Sequence, residues 1–210
     1  MLIKLDLLIN QFKLKISGIL HIGAHECEEL SIYNQNGIPT SSIIWIEANP
    51  EIIKKTKTKY PDLTIIESIV SDTDDQIVTF NVSNNGQSSS ILELGLHKKY
   101  HPSIHYVDKF EGKTKTVKSL YNQYNIPNNF ANFLNIDIQG AELLALKGMG
   151  NLLEYFDYLY LEVNTDYVYI NCALIDEIDK YLDNFGFKRV LTHMTKCKWG
   201  DAFYIKNNHN

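Results

Sequence analysis

No apolar run in this 210-residue chain approaches the roughly 18 residues that a membrane span needs, which argues against stable membrane insertion. The first fifteen residues, MLIKLDLLINQFKLK, are broken by Lys4, Asp6 and Asn10, so the unbroken apolar centre of a secretion signal is missing. Cysteine is scarce. Cys27, Cys172 and Cys197 are far apart, with no CxxC pair and no even disulfide framework, which favours a reducing, cytoplasmic setting. Concentrated positive charge is missing too. Lysine and arginine total 20 against 25 acids, a net charge of −5. The nearest basic run, Lys54, Lys55, Lys57 and Lys59, has the spacing of a solvated helix face. Nucleic-acid binders usually show a basic face, so that class is disfavoured. Neither the GxSxG of a hydrolase elbow nor the GxxxxGK[ST] of a phosphate-binding loop occurs. Oligomeric state leaves no mark in the sequence.

What is present is an alternation of short apolar runs and helical patterns. Residues 1–15 repeat Leu2, Leu5, Leu8, Ile9 and Phe12 at helical spacing and predict an amphipathic helix packed on the domain. GILHI (18–22), SIIWIE (42–47), LTIIESIV (63–70), QIVTFNV (76–82), NFLNIDI (132–138) and YLYLEV (158–163) read as strands. Helices are expected at 26–35, 50–59, 117–124, 141–149 and 173–184; Asn49-Pro50 is a cap followed by a first-turn proline. Residues 83–115, with NNGQSSS and HKKYHPSIHY, show little periodicity and are expected to be an insertion that shapes an acceptor site. FKRVLTHM and DAFYIK close the chain. Their link is too short for a parallel crossover, so one of the two must run antiparallel. The reading is one α/β domain, 1–210: a mostly parallel sheet with an antiparallel strand near its C-terminal edge and helices on both faces.

In such a sheet the ligand lies beyond the carboxyl ends of the strands. The residues there are Gly23, Ala24, His25 and Glu26; Glu47 and Ala48; Ser71 and Asp72; Asp137, Gln139 and Gly140; Glu162 and Asn164. Gly23 lets the backbone turn and a ligand approach closely. Glu47 follows it by 24 residues, near the offset at which an acid holds ribose hydroxyls. The three-glycine signature that seats a pyrophosphate is absent, which disfavours an NAD-dependent oxidoreductase. A nucleoside-bearing sulfonium, S-adenosylmethionine, tolerates this crowd of carboxylates better than a phosphate would. His21 and His25 stand four apart in LHIGAHECEEL, but one lies in a strand and the other past a glycine turn, so no metal pair is expected. His97, His101 and His105 are interrupted by Pro102, which argues against a zinc site there.

HIGAHECEEL, IIWIEANP, SDTDDQIVTF, NGQSSSI, VKSL, LNIDIQGAELLALKGM, LEVNTDYVY and WGDAFYIKN occur in this order. Together they resemble the FkbM-type methyltransferases over about Gly18 to Lys206. The resemblance implies a seven-stranded Rossmann-like class I methyltransferase fold with strand seven antiparallel. It also implies S-adenosylmethionine as donor and O-methylation, often of a sugar hydroxyl or glycosylated metabolite. Carried onto this sequence, it implies that His21, Gly23, Ala24 and His25 form the first cofactor loop. Glu47, with Ala48, would hold the ribose, Ser71 and Asp72 would lie near the adenine, and Asp137 would sit near the donor's amino-acid part or methyl. The family usually carries glutamate where DIQG places Gln139.

Methyl transfer to an alcohol needs in-line positioning and removal of one proton. Asp137 is the first candidate base, His25 the second, and a histidine of the 97–105 segment the third. Ser88, Ser89, Gln139, Glu162 and Tyr167 are the candidate acceptor contacts. A divalent ion at strand-end carboxylates is compatible with the sequence but not predicted. The partner expected is a small-molecule or glycan acceptor. Methylation of a different small molecule, a lipid or a protein is the alternative. A non-catalytic relic of the cofactor fold is another, left open by Gln139.

Overall fold

Ten strands and seven helices organise the chain in a computed structural model that describes residues 1–207. The strands are β1 (Ile19–Ile22), β2 (Ile43–Glu47), β3 (Thr64–Glu67), β4 (Ile69–Val70), β5 (Ile77–Ser83), β6 (Tyr106–Lys115), β7 (Phe133–Ile136), β8 (Tyr158–Asn164), β9 (Phe187–Met194) and β10 (Trp199–Lys206). The helices are α1 (Leu5–Phe12), α2 (Leu30–Gln35), α3 (Pro50–Lys59), α4 (His97–Tyr100), α5 (Val117–Gln123), α6 (Glu142–Met149) and α7 (Ile175–Asp183). The main sheet has seven strands in the order β3-β2-β1-β7-β8-β10-β9. All neighbours are parallel except β10, which runs antiparallel to β8 and β9. This is the expected mostly parallel sheet with its last strand reversed. β10 inserts between β8 and the edge strand β9 as the return arm of a hairpin.

Both faces of the sheet are buried, which is why its strands are continuous apolar runs rather than alternating ones. Leu20, Ile22, Leu134 and Leu161 face the cluster built with α5, α6 and α7. Ile19, Trp45, Phe133 and Phe203 face the cluster built with α1, α2 and α3. The expected N-terminal helix is there, with Leu5 and Leu8 buried on the second face. The Asn49 side chain accepts from the Glu51 N–H at 3.0 Å and so caps α3.

Four expectations change. The helix expected from Glu26 begins only at Leu30, because His25 and Cys27 hold φ of 43° and 56° and coil the chain instead. LTIIESIV is two strands. At Ser68 the N–H turns to the Glu47 carbonyl (2.9 Å), and β4 leaves for a second sheet. That sheet has the order β4-β6-β5 and occupies much of the supposed insertion. β6 pairs antiparallel with β5 along its length, yet most of its side chains are exposed or half-buried, so no hydrophobic alternation marked it. Finally, β7 stops at Ile136, leaving Asp137 and Gln139 on the turn that leads into α6.

Candidate active site

The carboxyl ends of β1, β2, β7 and β8 meet around two adjoining clefts. The larger, about 370 Å³, runs between His21, Asp137, Glu162, Tyr169 and His97. The smaller, about 60 Å³, runs between Glu47, Ser68, Ile69 and Ala141. Gly23, His25, Gln87, Asp137 and Gln139 line both, so the two form one trough.

Backbone contacts tie the strand ends together. The N–H groups of Gly23 and Ala24 donate to the Ile46 carbonyl at 2.9 and 3.1 Å, and the Asp137 N–H donates to the Ile22 carbonyl at 3.0 Å. Gly23 has φ +87°, and an ideal Cβ there would lie 1.8 Å from the Asp137 carbonyl oxygen. The absence of a side chain here lets the neighbouring strand's main chain pack close, and Gly23 also lines both clefts.

Glu47 is buried and lines the smaller cleft. Its Oε1 accepts from the N–H groups of Ala48 and Asn49 at 2.9 and 2.8 Å, and its Oε2 from the His25 N–H at 2.7 Å. Burial raises its pKa against these bonds. Ala48 lines the same cleft. Ser71 and Asp72 line neither cleft. After the break at Ser68 the chain runs past α6, and the Ser71 carbonyl lies against Gly148. Ser68, Ile69 and Val70 occupy the cleft wall where the adenine-side pair was expected.

His25, the second candidate base, lines both clefts. Its Nδ1 is 2.6 Å from Glu28 Oε1, and its Nε2 would be 2.7 Å from a Cβ on Gly86. Burial disfavours the charged imidazole, but the Glu28 bond and the charges of Glu28, Glu47 and Glu26 outweigh it and raise the pKa. Burial likewise pushes Glu28 up, yet the bonds from His25 and Gln87 bring it down to about 2. Glu28 thus holds the Nδ1 side of the ring. His21 is a satisfied buried histidine. Tyr33 donates to its Nδ1 at 3.0 Å, Asn135 donates to Tyr33 at 2.9 Å, and the Trp45 ring lies 4.8 Å away, tilted by 30°. Burial lowers its pKa to about 4, so it is neutral, and it lines only the larger cleft.

At the junction stands a network of four side chains. The Gln139 Nε2 donates to Asp137 Oδ1 at 2.6 Å and to Glu162 Oε2 at 2.8 Å. Its Oε1 accepts from the Tyr169 hydroxyl at 2.6 Å. Glu162 is buried and Asp137 is exposed at the cleft surface; desolvation within the trough raises the pKa of both, that of Glu162 well above the usual range. Tyr169, not Tyr167, faces the cleft; Tyr167 is exposed. Ser88 lines the larger cleft and Ser89 the smaller. Glu142, expected as a first-turn helix acid, is buried, and its Oε1 accepts from the N–H groups of Ile138 and Gly140, both at 3.0 Å. Burial lifts it to about 7.

Sequence reasoning missed Ser68, Gln87, Asn135, Tyr160 and Asp201 in these walls. Ser68 left one signal, as the polar break in LTIIESIV. No arginine or lysine side chain lines either cleft. Among the described residues, no group of three His, Cys, Asp or Glu side chains is placed to hold a metal ion, and no helix is long and apolar enough to cross a membrane.

A seven-stranded sheet with its last strand reversed and a ligand trough at the strand ends defines the class I S-adenosylmethionine-dependent methyltransferase fold. The model of the methyltransferase FkbM domain matches residues 21–189. The chain belongs to this family. Among solved structures it is similar to the methyltransferase FkbM of Methylobacillus flagellatus KT, at 14% identity and a TM-score of 0.52. That match covers 90% of this chain but 43% of the other, so the chain spans less than half of its length. It is also similar to magnesium protoporphyrin IX methyltransferase from Synechocystis PCC 6803, solved with SAM bound. There the identity is 10% and the TM-score 0.50, covering 96% of this chain and 76% of that one. Both likenesses show the fold. No curated protein matches the chain.

Proposed function

We propose that the chain acts as one S-adenosylmethionine-dependent methyltransferase domain that methylates a hydroxyl of a sugar or glycoconjugate. The observation that carries this reading is the position of Asp137, a carboxyl exposed at the junction of two clefts on the strand ends. The smaller cleft alone is below the roughly 300 Å³ of ordinary ligand pockets; joined to the larger one, it leaves room for a donor and an acceptor. The chain's own groups suit the donor. Glu47 offers a carboxylate beside the smaller cleft, and the Ser68 hydroxyl there is buried with no partner. Asp137, Glu162 and Asp201 favour a cation over a phosphate.

S-adenosylmethionine, when bound, supplies a methyl carbon on a positively charged sulfur. The walls would hold the acceptor oxygen against the donor, and positioning would provide much of the rate. Asp137 would take the acceptor's hydroxyl proton, while the donor's methyl–sulfur bond breaks and the neutral thioether, S-adenosylhomocysteine, leaves. A neutral polyol fits the larger cleft best. Asn85, Gln87, Ser88 and Asn135 offer hydrogen bonds, and an acidic lining with no lysine or arginine, whose Met1 ammonium is paired with Glu29, disfavours phosphorylated or carboxylated acceptors. Residues 83–115 supply part of this wall through Ser88, His97, His101 and Ile104. Three free thiols suit a reducing compartment such as the cytoplasm.

The test is calorimetry with S-adenosylhomocysteine, followed by transfer of labelled methyl to neutral, amino and acidic sugars and to lipid and protein acceptors. Absence of S-adenosylhomocysteine binding would sink the reading. Transfer confined to lipids or proteins would replace the sugar acceptor.

A further inference from the structure

Gln139 sits in the left-handed region, with φ +57°, a conformation that a non-glycine residue holds only when its surroundings enforce it. The Ser90 hydroxyl donates to its carbonyl at 2.9 Å. Its side-chain orientation is fixed chemically. The Tyr169 hydroxyl donates to Oε1, so Nε2 is the atom facing Asp137 and Glu162. A flipped amide would set its oxygen against two carboxyl oxygens. An amide nitrogen has two N–H groups, and both are used, one on each carboxyl.

The groups around this pair bring no cation into salt-bridge contact with either carboxyl among the described residues. From β8 comes Tyr160, from β10 Asp201, from the first turn of α6 Glu142, from the approach to α2 Glu29, and from β1 the neutral His21. The Met1 ammonium lines the same cleft but pairs with Glu29 at 3.6 Å, and His25 is held by Glu28. Two carboxyls held by one amide, beside further carboxylates and with no cation of their own, do not both ionise; they share a proton.

We infer that Gln139 is a positioning residue whose single amide clips Asp137 to Glu162, so that the pair keeps one proton on Glu162 and Asp137 presents an ionised oxygen to both clefts. Glutamate is the weaker acid of the two by its reference value, which places the proton there. A glutamine does this and a glutamate does not, since a third carboxylate has no N–H to give. The catalytic consequence rests on the methyltransferase reading; the proton sharing does not.

The experiment is a ¹³C-carboxyl NMR titration of the full chain, made for wild type, Glu162→Gln, Gln139→Leu and Gln139→Glu. Each variant is first checked for a native fold and for S-adenosylhomocysteine affinity within about threefold. Wild type should show a protonated carboxyl at pH 7 that Glu162→Gln removes. Gln139→Leu should raise the pair's apparent ionisation by at least one pH unit, and Gln139→Glu should add a second protonated carboxyl at pH 7. Where transfer is measurable, the acid limb of the kcat/KM profile should rise by the same amount in Gln139→Leu. If Glu162 is ionised at pH 7 in wild type, or if Gln139→Leu titrates as wild type, the inference is overturned. If the titrations behave as expected while wild type transfers no methyl to any acceptor, the inference stands and the methyltransferase reading fails.

Discussion

Gly23 and Asp137 share one gap: a Cβ on the glycine would stand 1.8 Å from the aspartate's carbonyl oxygen. The β1 loop and the β7 loop therefore pack main chain against main chain, and the candidate base is placed by its neighbour's lack of a side chain. Gly23→Ala must push the two strand ends apart and also hold an alanine at φ +87°. The expected loss is more than about 3 kcal/mol, at the severe end for a single substitution. Urea unfolding checks it. A midpoint unchanged from wild type would show that the gap closes without strain.

Glu47→Ala removes the acceptor for three backbone N–H groups and the carboxylate beside the smaller cleft. The folded variant should lose about 1–3 kcal/mol of stability, the cost of leaving buried donors unpaired. Its affinity for S-adenosylhomocysteine, read by calorimetry, should fall at least tenfold. A destabilised variant that binds as well as wild type would mean that Glu47 holds the loop and not the donor.

Asp137→Asn keeps the shape of the side chain and removes its capacity to take a proton. Transfer should fall by about 10²–10⁴-fold, the range for a positioned base. S-adenosylhomocysteine affinity should stay within about threefold. Desolvation within the trough raises the Asp137 pKa, and only the ionised form accepts the proton. Wild-type transfer should therefore climb with pH through that raised value, and the climb should vanish in the variant. An unaltered pH profile in Asp137→Asn would move the base elsewhere, to the neutral His97 in the same cleft.

The framework of the site could be read from the sequence because strands buried on both faces are unbroken apolar runs whose ends are easy to find. Gly23, Glu47 and Asp137 stood out as the first residues past such runs or the last within them. The remainder depended on details that periodicity does not carry. Ser68 diverts β4 into another sheet, and this displaces Ser71 and Asp72 from the cleft. The positive φ of His25 sets its Nδ1 on Glu28, a partner that no periodicity announces. Tyr167 and Tyr169 lie on an irregular turn after β8, where no helix or strand period says which ring points in. β6 was invisible because a strand wet on most of its length has no pattern to show.

Glu142 offers a test of burial itself. Its pKa is raised from 4.5 to about 7 by burial, despite the two N–H bonds it accepts. Between these values the folded chain binds more protons at this site than the unfolded one. Its contribution to stability is therefore fully present below about pH 4.5 and is lost as pH rises through about 7. Glu142→Gln keeps an oxygen for the Ile138 and Gly140 N–H groups and removes the charge. Relative to wild type, the variant should gain stability between pH 5 and pH 8, by an amount on the order of 2 kcal/mol. Urea unfolding of both proteins at the two pH values gives the difference directly, and His21 and His97 cancel because both proteins keep them. A variant whose stability relative to wild type is the same at pH 5 and pH 8 would place an ionised Glu142 at pH 5, with its two backbone bonds outweighing burial.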